Sequence, residues 1–377
     1  MSFESMNRRT FLGATAATLA LSAGLGAQSA ERKTKHVVLI GFAGGVRTRE
    51  TFGSPSNVPN LVSLAKEGVL YKRVKSSNLG HYGAALSLFT GVAEPRGIRE
   101  NGRGEEPTLF EYARKGLGLA AKDVWIATSG GAQQTNYSYS THADYGERYG
   151  ANTVDGDGLF NAEFKSILET LGRPKKLDER EADLLAKMRA AIGGADPKAA
   201  LNNAESAAQV ERFILEELTG GTASLRGPNA ADAKAIRVAR NLLVLFKPRL
   251  VAIVLQSADI AHGNFNGYAD VVRQNDAAIG DLMKAIRADP ALRDSTAVIA
   301  CPEFGRDRDL NSRRGLDHGD GSEDLEFVSA VAWGPEFARN RVIEDDVRAV
   351  DLCPTVCQLL GTTAPRAKAK ALPRLYA

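Results

Sequence analysis

Five short runs of apolar residues are separated along the chain by longer, more polar segments. Each run is nearly unbroken in hydrophobicity and rich in β-branched residues, which is typical of strands covered on both faces of a sheet. The pattern therefore predicts buried strands at His36–Phe42, Val124–Thr128, Leu250–Gln256, Thr296–Cys301 and Phe327–Trp333.

Helical spacing of apolar residues occurs between these runs. Leu61, Leu64 and Ala65 follow an i, i+3, i+4 pattern, and Pro107 suits the first turn of a second helix. A long amphipathic helix is expected over Tyr268–Ile286. Strands that alternate with helices predict an α/β fold, with a doubly wound, mostly parallel sheet and helices on both of its faces.

Residues 155–245 differ in composition from the rest of the chain. They are rich in Ala, Glu, Lys and Arg, and Leu177, Leu184 and Met188 belong to an apolar stripe at helical spacing. Such stripes are expected to be packing faces rather than cofactor sites. We predict a helical insertion over 155–245 within one α/β domain that covers residues 31–377.

The first 30 residues have the features of a targeting signal. Arg8 and Arg9 precede a weakly hydrophobic run of about 15 residues, and small residues follow at Ala27–Ala30. This combination looks like a twin-arginine export signal. The run is shorter than the ~20 residues that span a bilayer as a helix. We therefore expect a periplasmic or secreted protein without a stable membrane span once the signal is removed.

Charge and composition exclude several classes of protein. The 48 Lys and Arg nearly balance the 45 Asp and Glu, for a net charge of +3, whereas a nucleic-acid-binding protein needs a basic excess. With 44% hydrophobic and 25% charged residues, the chain is neither disordered nor a multi-span membrane protein. Its three cysteines cannot form a disulfide framework.

Polar side chains follow several of the predicted strands, where ligands bind in a doubly wound sheet. Asp259 and His262 come after the third run, and His318 lies in a later loop beside Asp317. A carboxylate and two imidazoles can hold one divalent metal, with zinc as the candidate ion, and leave a position for a water molecule of lowered pKa. The alternative is that these are loop histidines held by ordinary hydrogen bonds.

Two glycines and an arginine follow the first strand. Gly44 and Gly45 could bring backbone amides close to an anion, with Arg47 beside them. The pattern matches neither a P-loop nor a dinucleotide fingerprint, so a tight turn after the strand is the alternative.

Several segments together resemble the alkaline phosphatase superfamily, which includes sulfatases and phosphodiesterases. The resemblance covers roughly residues 36–150 and 248–361. It is carried by the sequence around Pro59-Asn60-Leu61, by HYGAALSLFTG from His81 to Gly91, and by DLCPTVCQLLG from Asp351 to Gly361. A group of twin-arginine-exported, sulfatase-like proteins is similar in its Gly-Gly, Glu-Phe-Gly-Arg and Asp-His-Gly segments. These correspond here to Gly44-Gly45, Glu303 to Arg306, and Asp317 to Gly319.

The chain departs from that superfamily at one of its two metal sites. No carboxylate follows the first strand, His81 stands at the position of the Ser, Thr or Cys nucleophile, and Glu303-Phe304 replaces an Asp-His pair. The resemblance therefore implies an exported hydrolase of a sulfate or phosphate ester that uses one metal. Its substrate would be an anionic small molecule or a glycan ester.

Roles for the remaining residues follow from this interpretation. His81 would be a general acid or base, and Arg306, with Arg47, would bind two oxygens of the anion. Glu303 would be a further ligand or would orient a histidine, and Asp317 would support a ligand. The alternative function is a catalytically degenerate member of the fold that acts as a periplasmic binding or interaction protein.

Overall fold

A computed structural model describes residues 33–94, 102–130, 136–155 and 225–373. The predicted export signal lies outside these residues, and so does most of the predicted insertion. The described residues belong to one folded unit. Among the described residues, no helix is long and apolar enough to cross a membrane.

Strands of the described residues form one mixed, nine-stranded sheet, and all five predicted strands belong to it. In chain order the strands are β1 His36–Phe42, β2 Val69–Lys75, β3 Val124–Thr128, β4 Asn152–Asp155, β5 Leu250–Leu255, β6 Thr296–Pro302, β7 Phe327–Trp333, β8 Arg341–Ile343 and β9 Val347–Arg348. The helices are α1 Pro59–Glu67, α2 His81–Thr90, α3 Leu109–Leu117, α4 Ala230–Phe246, α5 Phe265–Ala288, α6 Glu323–Glu326 and α7 Leu352–Leu360.

The spatial order of the strands is β4-β3-β5-β1-β6-β7-β2-β8, with β9 also paired to β2. Strand β1 lies between β5 and β6 and is parallel to both. Strand β7 is antiparallel to its neighbours β6 and β2, so β2 runs in the same direction as β6. The carboxyl ends of β1, β2, β5 and β6 therefore lie along one edge of the sheet, called the carboxyl edge below.

The two faces of the sheet bury different side chains of the same strand. In β1, Val38 and Ile40 belong to one hydrophobic core, and Val37 and Leu39 belong to the other. Helices α1, α4 and α5 cover the first face, and α2, α3 and α7 cover the second. This arrangement confirms the predicted doubly wound, mostly parallel α/β fold.

Strand β2 was not expected from the sequence because its apolar run, Val69 to Tyr71, is short and is followed by charged residues. Val69, Tyr71 and Val74 are buried, whereas Lys72 and Lys75 are exposed. One face of β2 contributes to the core, and the other face keeps its charges in solvent. A search for continuous apolar runs does not detect such a strand.

Helix α2 lies in the second core and begins at the carboxyl edge. Every residue after His81 in this helix is buried, and Gly91 ends it in the left-handed conformation, with φ of 71°. No side chain caps its first turn, which starts after Gly80. The helix therefore presents His81 and unpaired first-turn N–H groups at this edge.

Candidate metal centre at the carboxyl edge

Four segments bring polar side chains together at the carboxyl edge. A 3-10 turn, Ser257–His262, follows β5 and carries Asp259 and His262. Glu303 directly follows β6, His318 lies in the loop before α6, and His81 is the first residue of α2. The predicted trio of Asp259, His262 and His318 is thus joined in space by His81.

The three imidazoles of His81, His262 and His318 surround a common point. Each offers one ring nitrogen, and these nitrogens all lie within 4.8 Å of one another. The ring of His318 is 4.8 Å from that of His81 and 5.0 Å from that of His262, measured between centroids. The buried Phe304 ring packs against His81 and His318 and holds their orientation.

In each of the three histidines, a hydrogen bond fixes the ring. The Nδ1 atom of His81 is 2.5 Å from Glu303 Oε1, and that of His262 is 2.6 Å from Asp317 Oδ1. A carboxylate accepts hydrogen bonds, so both Nδ1 atoms carry the proton and each Nε2 atom can offer a lone pair when the ring is neutral. The His318 ring hydrogen-bonds with the backbone of Leu79. Carboxylate and carbonyl partners of this kind are typical of histidines that bind metals.

Two buried polar atoms at the centre have no hydrogen-bond partner: Nε2 of His81 and Oε2 of Glu303. The His81 Nε2 atom is 2.9 Å from Asp259 Oδ1, but the direction of approach is wrong for a hydrogen bond. An unsatisfied buried atom costs free energy unless a ligand or water meets it. The donor set and this unpaired nitrogen therefore fit one divalent cation.

The surroundings of His318 and His81 shift their pKa values in opposite directions. Burial lowers the pKa of His318, and the neighbouring His81 and Arg306 lower it further, so this ring is neutral and available as a ligand. For His81, burial also lowers the pKa, but the carboxylates of Glu303 and Asp259 outweigh it and raise the pKa overall. A cation at His81 Nε2 must therefore displace a proton. Burial raises the pKa of the fully buried Glu303, against the opposing effect of His81.

Arg306 is fully buried, and all five of its N–H groups are used inside the protein. Its acceptors are Asp259 Oδ1 at 2.6 Å, His262 Nε2 at 3.1 Å, Leu316 O at 3.3 Å, Gly45 O at 3.4 Å and Gly44 O. The sequence suggested that Arg306 binds substrate oxygens, but this arrangement leaves it no N–H for an anion. Arg306 instead connects the loops that follow β1, β5 and β6.

The residues after β1 are also placed differently from the expected anion site. Arg47 is buried and forms a two-pronged ion pair with Glu50, at 2.6 and 2.8 Å. A Cβ atom on Gly44 would lie 2.7 Å from the backbone of the turn that carries Asp259, and Gly45 has a φ of +66°. Gly44 therefore packs closely against that turn and Gly45 against Gly305 and Arg306, which agrees with the tight-turn alternative.

Asp232 of α4 supports the Asp259 turn from behind, a role that the sequence did not reveal. Its fully buried carboxylate accepts the backbone N–H groups of Gln256 and Ser257, at 2.9 and 3.1 Å, and the side-chain amide of Asn275 at 2.8 Å. These bonds fix the start of the 3-10 turn. Nothing in the local sequence of α4 distinguishes Asp232 from a surface acid at the start of a helix.

Sequence comparison places the chain in a family. A family model described as "Protein of unknown function (DUF1501)" matches residues 23–364. The chain belongs to the DUF1501 family. No curated protein matches the sequence of this DUF1501 chain.

Solved structures show which fold this DUF1501 chain has. It is similar to a mutant of the alkaline phosphatase PafA, with a TM-score of 0.59, 9% identity, and coverage of 91% of this chain and 99% of that one. It is similar to the 2-O GAG sulfatase BT1596, with a TM-score of 0.54, 11% identity, and coverage of 91% and 74%. The PsFucS1 sulfatase from Pseudoalteromonas sp. gives a TM-score of 0.50, 13% identity, and coverage of 99% and 76%. The fold is that of the alkaline phosphatase and sulfatase superfamily.

Proposed function

We propose that this protein is an exported hydrolase of a sulfate or phosphate ester that uses one divalent cation, with zinc as the candidate ion. The observation that carries the proposal is the cluster of His81, His262 and His318, whose ring nitrogens lie within 4.8 Å of one another. The fold, which resembles those of a phosphatase and two sulfatases, supports the choice of substrate class.

His81, His262 and His318 would hold the cation, which assigns His81 to the ligands rather than to acid–base chemistry. A bound divalent cation would polarise an ester oxygen and lower the pKa of water. The carboxylates of Glu303 and Asp317 keep the imidazoles of His81 and His262 oriented. The Arg306 Nη1 group, which also donates to Leu316 O, would have to release His262 Nε2 before that atom could be a ligand.

Asp259 faces solvent beside the three imidazoles, with 45% of its side chain exposed. Although burial opposes ionisation, the neighbouring His81 imidazole and the Arg306 guanidinium lower the pKa of its carboxyl. The group therefore stays ionised near neutral pH and accepts a hydrogen bond from an attacking water molecule. That contact orients the water without requiring Asp259 to take up a proton.

The first turn of α2 is the best placed group to bind the anion of the substrate. Its N–H groups are not capped by a side chain, and the positive end of the helix dipole lies next to His81. Such a site recognises the charged oxygens of the ester and not the group attached to them. The expected substrate is therefore an anionic small molecule or a glycan ester.

Metal analysis of the full-length protein tests the proposal. The wild type should hold one divalent cation per chain, and His262→Ala and His318→Ala should lose it. His142→Ala is the matched control, because this loop histidine packs on Tyr145 away from the cluster. Aryl sulfate and aryl phosphate esters should then be hydrolysed only by the variants that hold metal. A metal-free wild type without turnover would overturn the proposal.

One observation favours the second function, a degenerate member of the fold that binds a ligand or partner. The Arg306 guanidinium is 2.6 Å from Asp259 Oδ1 and 3.1 Å from His262 Nε2, so a cation of the protein already occupies part of the centre. Under this alternative the guanidinium replaces the metal permanently. Arg306→Met would then create no metal affinity, and wild type and variant would be equally inactive.

A further inference from the structure

A second basic feature lies at the carboxyl edge, apart from the histidine cluster. It is a cavity of about 320 Å³ whose lining includes Lys75, Arg348 and Lys368, together with the serines Ser76 and Ser77. We call it the basic cavity. No acidic residue is among the described residues that line it.

The strand topology places the basic cavity beside the proposed active site. Lys75 is the last residue of β2, which runs in the same direction as β6 and is separated from it by β7 alone. Two strand spacings correspond to about 10 Å. Glu303 directly follows β6, and Ser77 precedes His81 by only four residues. One extended ligand can therefore reach both places.

The charges of the basic cavity are only partly balanced. Arg348 forms an ion pair with Asp351 at 2.9 Å. Lys75 and Lys368 are exposed at the rim, and the Lys75 ammonium lies 5.7 Å from the centre of the Phe327 ring. Burial raises the pKa of the Glu94 carboxyl, and the charge of Lys368 opposes this effect only in part. The rim thus offers two ammonium groups to an incoming ligand.

Hydrogen-bond donors add to this charge. The hydroxyl oxygen of Ser76 is buried and has no hydrogen-bond partner. Ammonium groups and hydroxyls recognise the oxygens of sulfate or phosphate, and charge-assisted bonds to such oxygens are roughly twice as strong as neutral ones. The cavity can hold a single anionic group together with part of its carrier.

We propose that the basic cavity binds a second sulfate or phosphate group of the substrate, so that the preferred substrate is a polyanion with charged groups about 10 Å apart. This inference rests on the proposed function for the word substrate, but binding in the cavity does not require turnover. Lys75 and Lys368 contact the remote group and act as specificity residues.

Binding of labelled dextran sulfate to the full-length protein, measured by fluorescence anisotropy, tests the inference. Lys75→Ala with Lys368→Ala should weaken binding about tenfold, since two charge-assisted contacts are lost. Lys122→Ala with Lys284→Ala removes the same charge from exposed sites elsewhere and should leave the affinity unchanged. The double arginine variant, Lys75→Arg with Lys368→Arg, should bind as the wild type does.

Further arms separate this inference from the proposed function. His262→Ala should still bind dextran sulfate, because the basic cavity does not include the imidazoles. If linear polyphosphate displaces labelled dextran sulfate more strongly than unlabelled dextran sulfate does, phosphate is the preferred group. If it displaces the label more weakly, sulfate is the preferred group. Equal binding by the two alanine double variants would overturn the inference and leave the proposed hydrolase intact. If the wild type holds no metal and hydrolyses no ester, but its binding of dextran sulfate still depends on Lys75 and Lys368, only the proposed hydrolase is overturned.

Discussion

The contact between Asp317 and His262 offers a sharp test of the metal centre. Asp317 Oδ1 is 2.6 Å from His262 Nδ1, and Asp317 Oδ2 accepts a hydrogen bond from the Asn311 amide at 2.9 Å. Asp317→Asn removes the charge and leaves only one acceptor for these two donors. Because 40% of the Asp317 side chain is exposed, the substitution should not unfold the protein.

The expected loss of zinc affinity follows from the two orientations that the new side-chain amide of Asp317→Asn can adopt. If its oxygen faces His262, the ring loses a charged partner and becomes a weaker ligand. If its nitrogen faces His262, the ring proton moves to Nε2 and blocks the atom that would bind the cation. Substitution of such supporting carboxylates typically lowers metal affinity 10- to 100-fold, which corresponds to about 1.4–2.7 kcal/mol.

The assay is a competitive titration of zinc against a chelating indicator near neutral pH, on wild type and Asp317→Asn. Asp320→Asn is the matched control in the same loop, because its carboxylate accepts hydrogen bonds from Arg308 and Ser322 and contacts no imidazole. The control should retain wild-type affinity. Equal zinc affinity in all three proteins would refute the role of Asp317 and the assignment of His262 Nε2 as a ligand.

Three further predictions concern other parts of the molecule. Burial raises the pKa of the Asp232 carboxyl, so its protonated form is favoured in the fold and its contribution to stability is lost as pH rises above the ordinary value of 3.8. As pH rises above 3.8, the unfolding free energy of Asp232→Asn should therefore increase relative to that of wild type in urea unfolding, and a difference that does not change with pH would contradict the pKa direction. Gly44→Ala places a Cβ atom 2.7 Å from backbone atoms and should cost about 1–3 kcal/mol of unfolding free energy, whereas Gly263→Ala points into open space and should cost less. Replacing Arg8 and Arg9 by lysine should retain the precursor in the cytoplasm, as fractionation would show, and unchanged export would contradict the twin-arginine assignment.

Several features of the fold were predictable because their causes are local. Continuous apolar runs identify strands that are buried on both faces, and four such strands carry the parallel core of the sheet. The direction of β7 was not predictable, because the apolar pattern of Phe327–Trp333 suits either orientation. Strand β2 was missed because charged residues interrupt its apolar run, and these charges stay in contact with solvent.

In the candidate site, too, some residues could be predicted from the sequence and others could not. Asp259, His262 and His318 could be selected because they follow strands whose carboxyl ends share an edge. The roles of the arginines could not be selected in this way, because a guanidinium binds a substrate anion or a backbone carbonyl according to what surrounds it. In the fold, Arg306 and Arg47 have internal acceptors, so the proposed anion sites are the first turn of α2 and the basic cavity.

By itself, the sequence determined which segments become buried strands and which loops carry imidazoles and carboxylates, because hydrophobic periodicity and residue chemistry act over a few neighbours. Only the tertiary structure decided that His81 lies beside the distant His262 and His318. It also decided that Glu303 and Asp317 orient the rings of His81 and His262, and that Lys75 and Lys368 line one cavity. These arrangements depend on distances between segments far apart in the chain, and such distances are set by the packing of helices on the sheet.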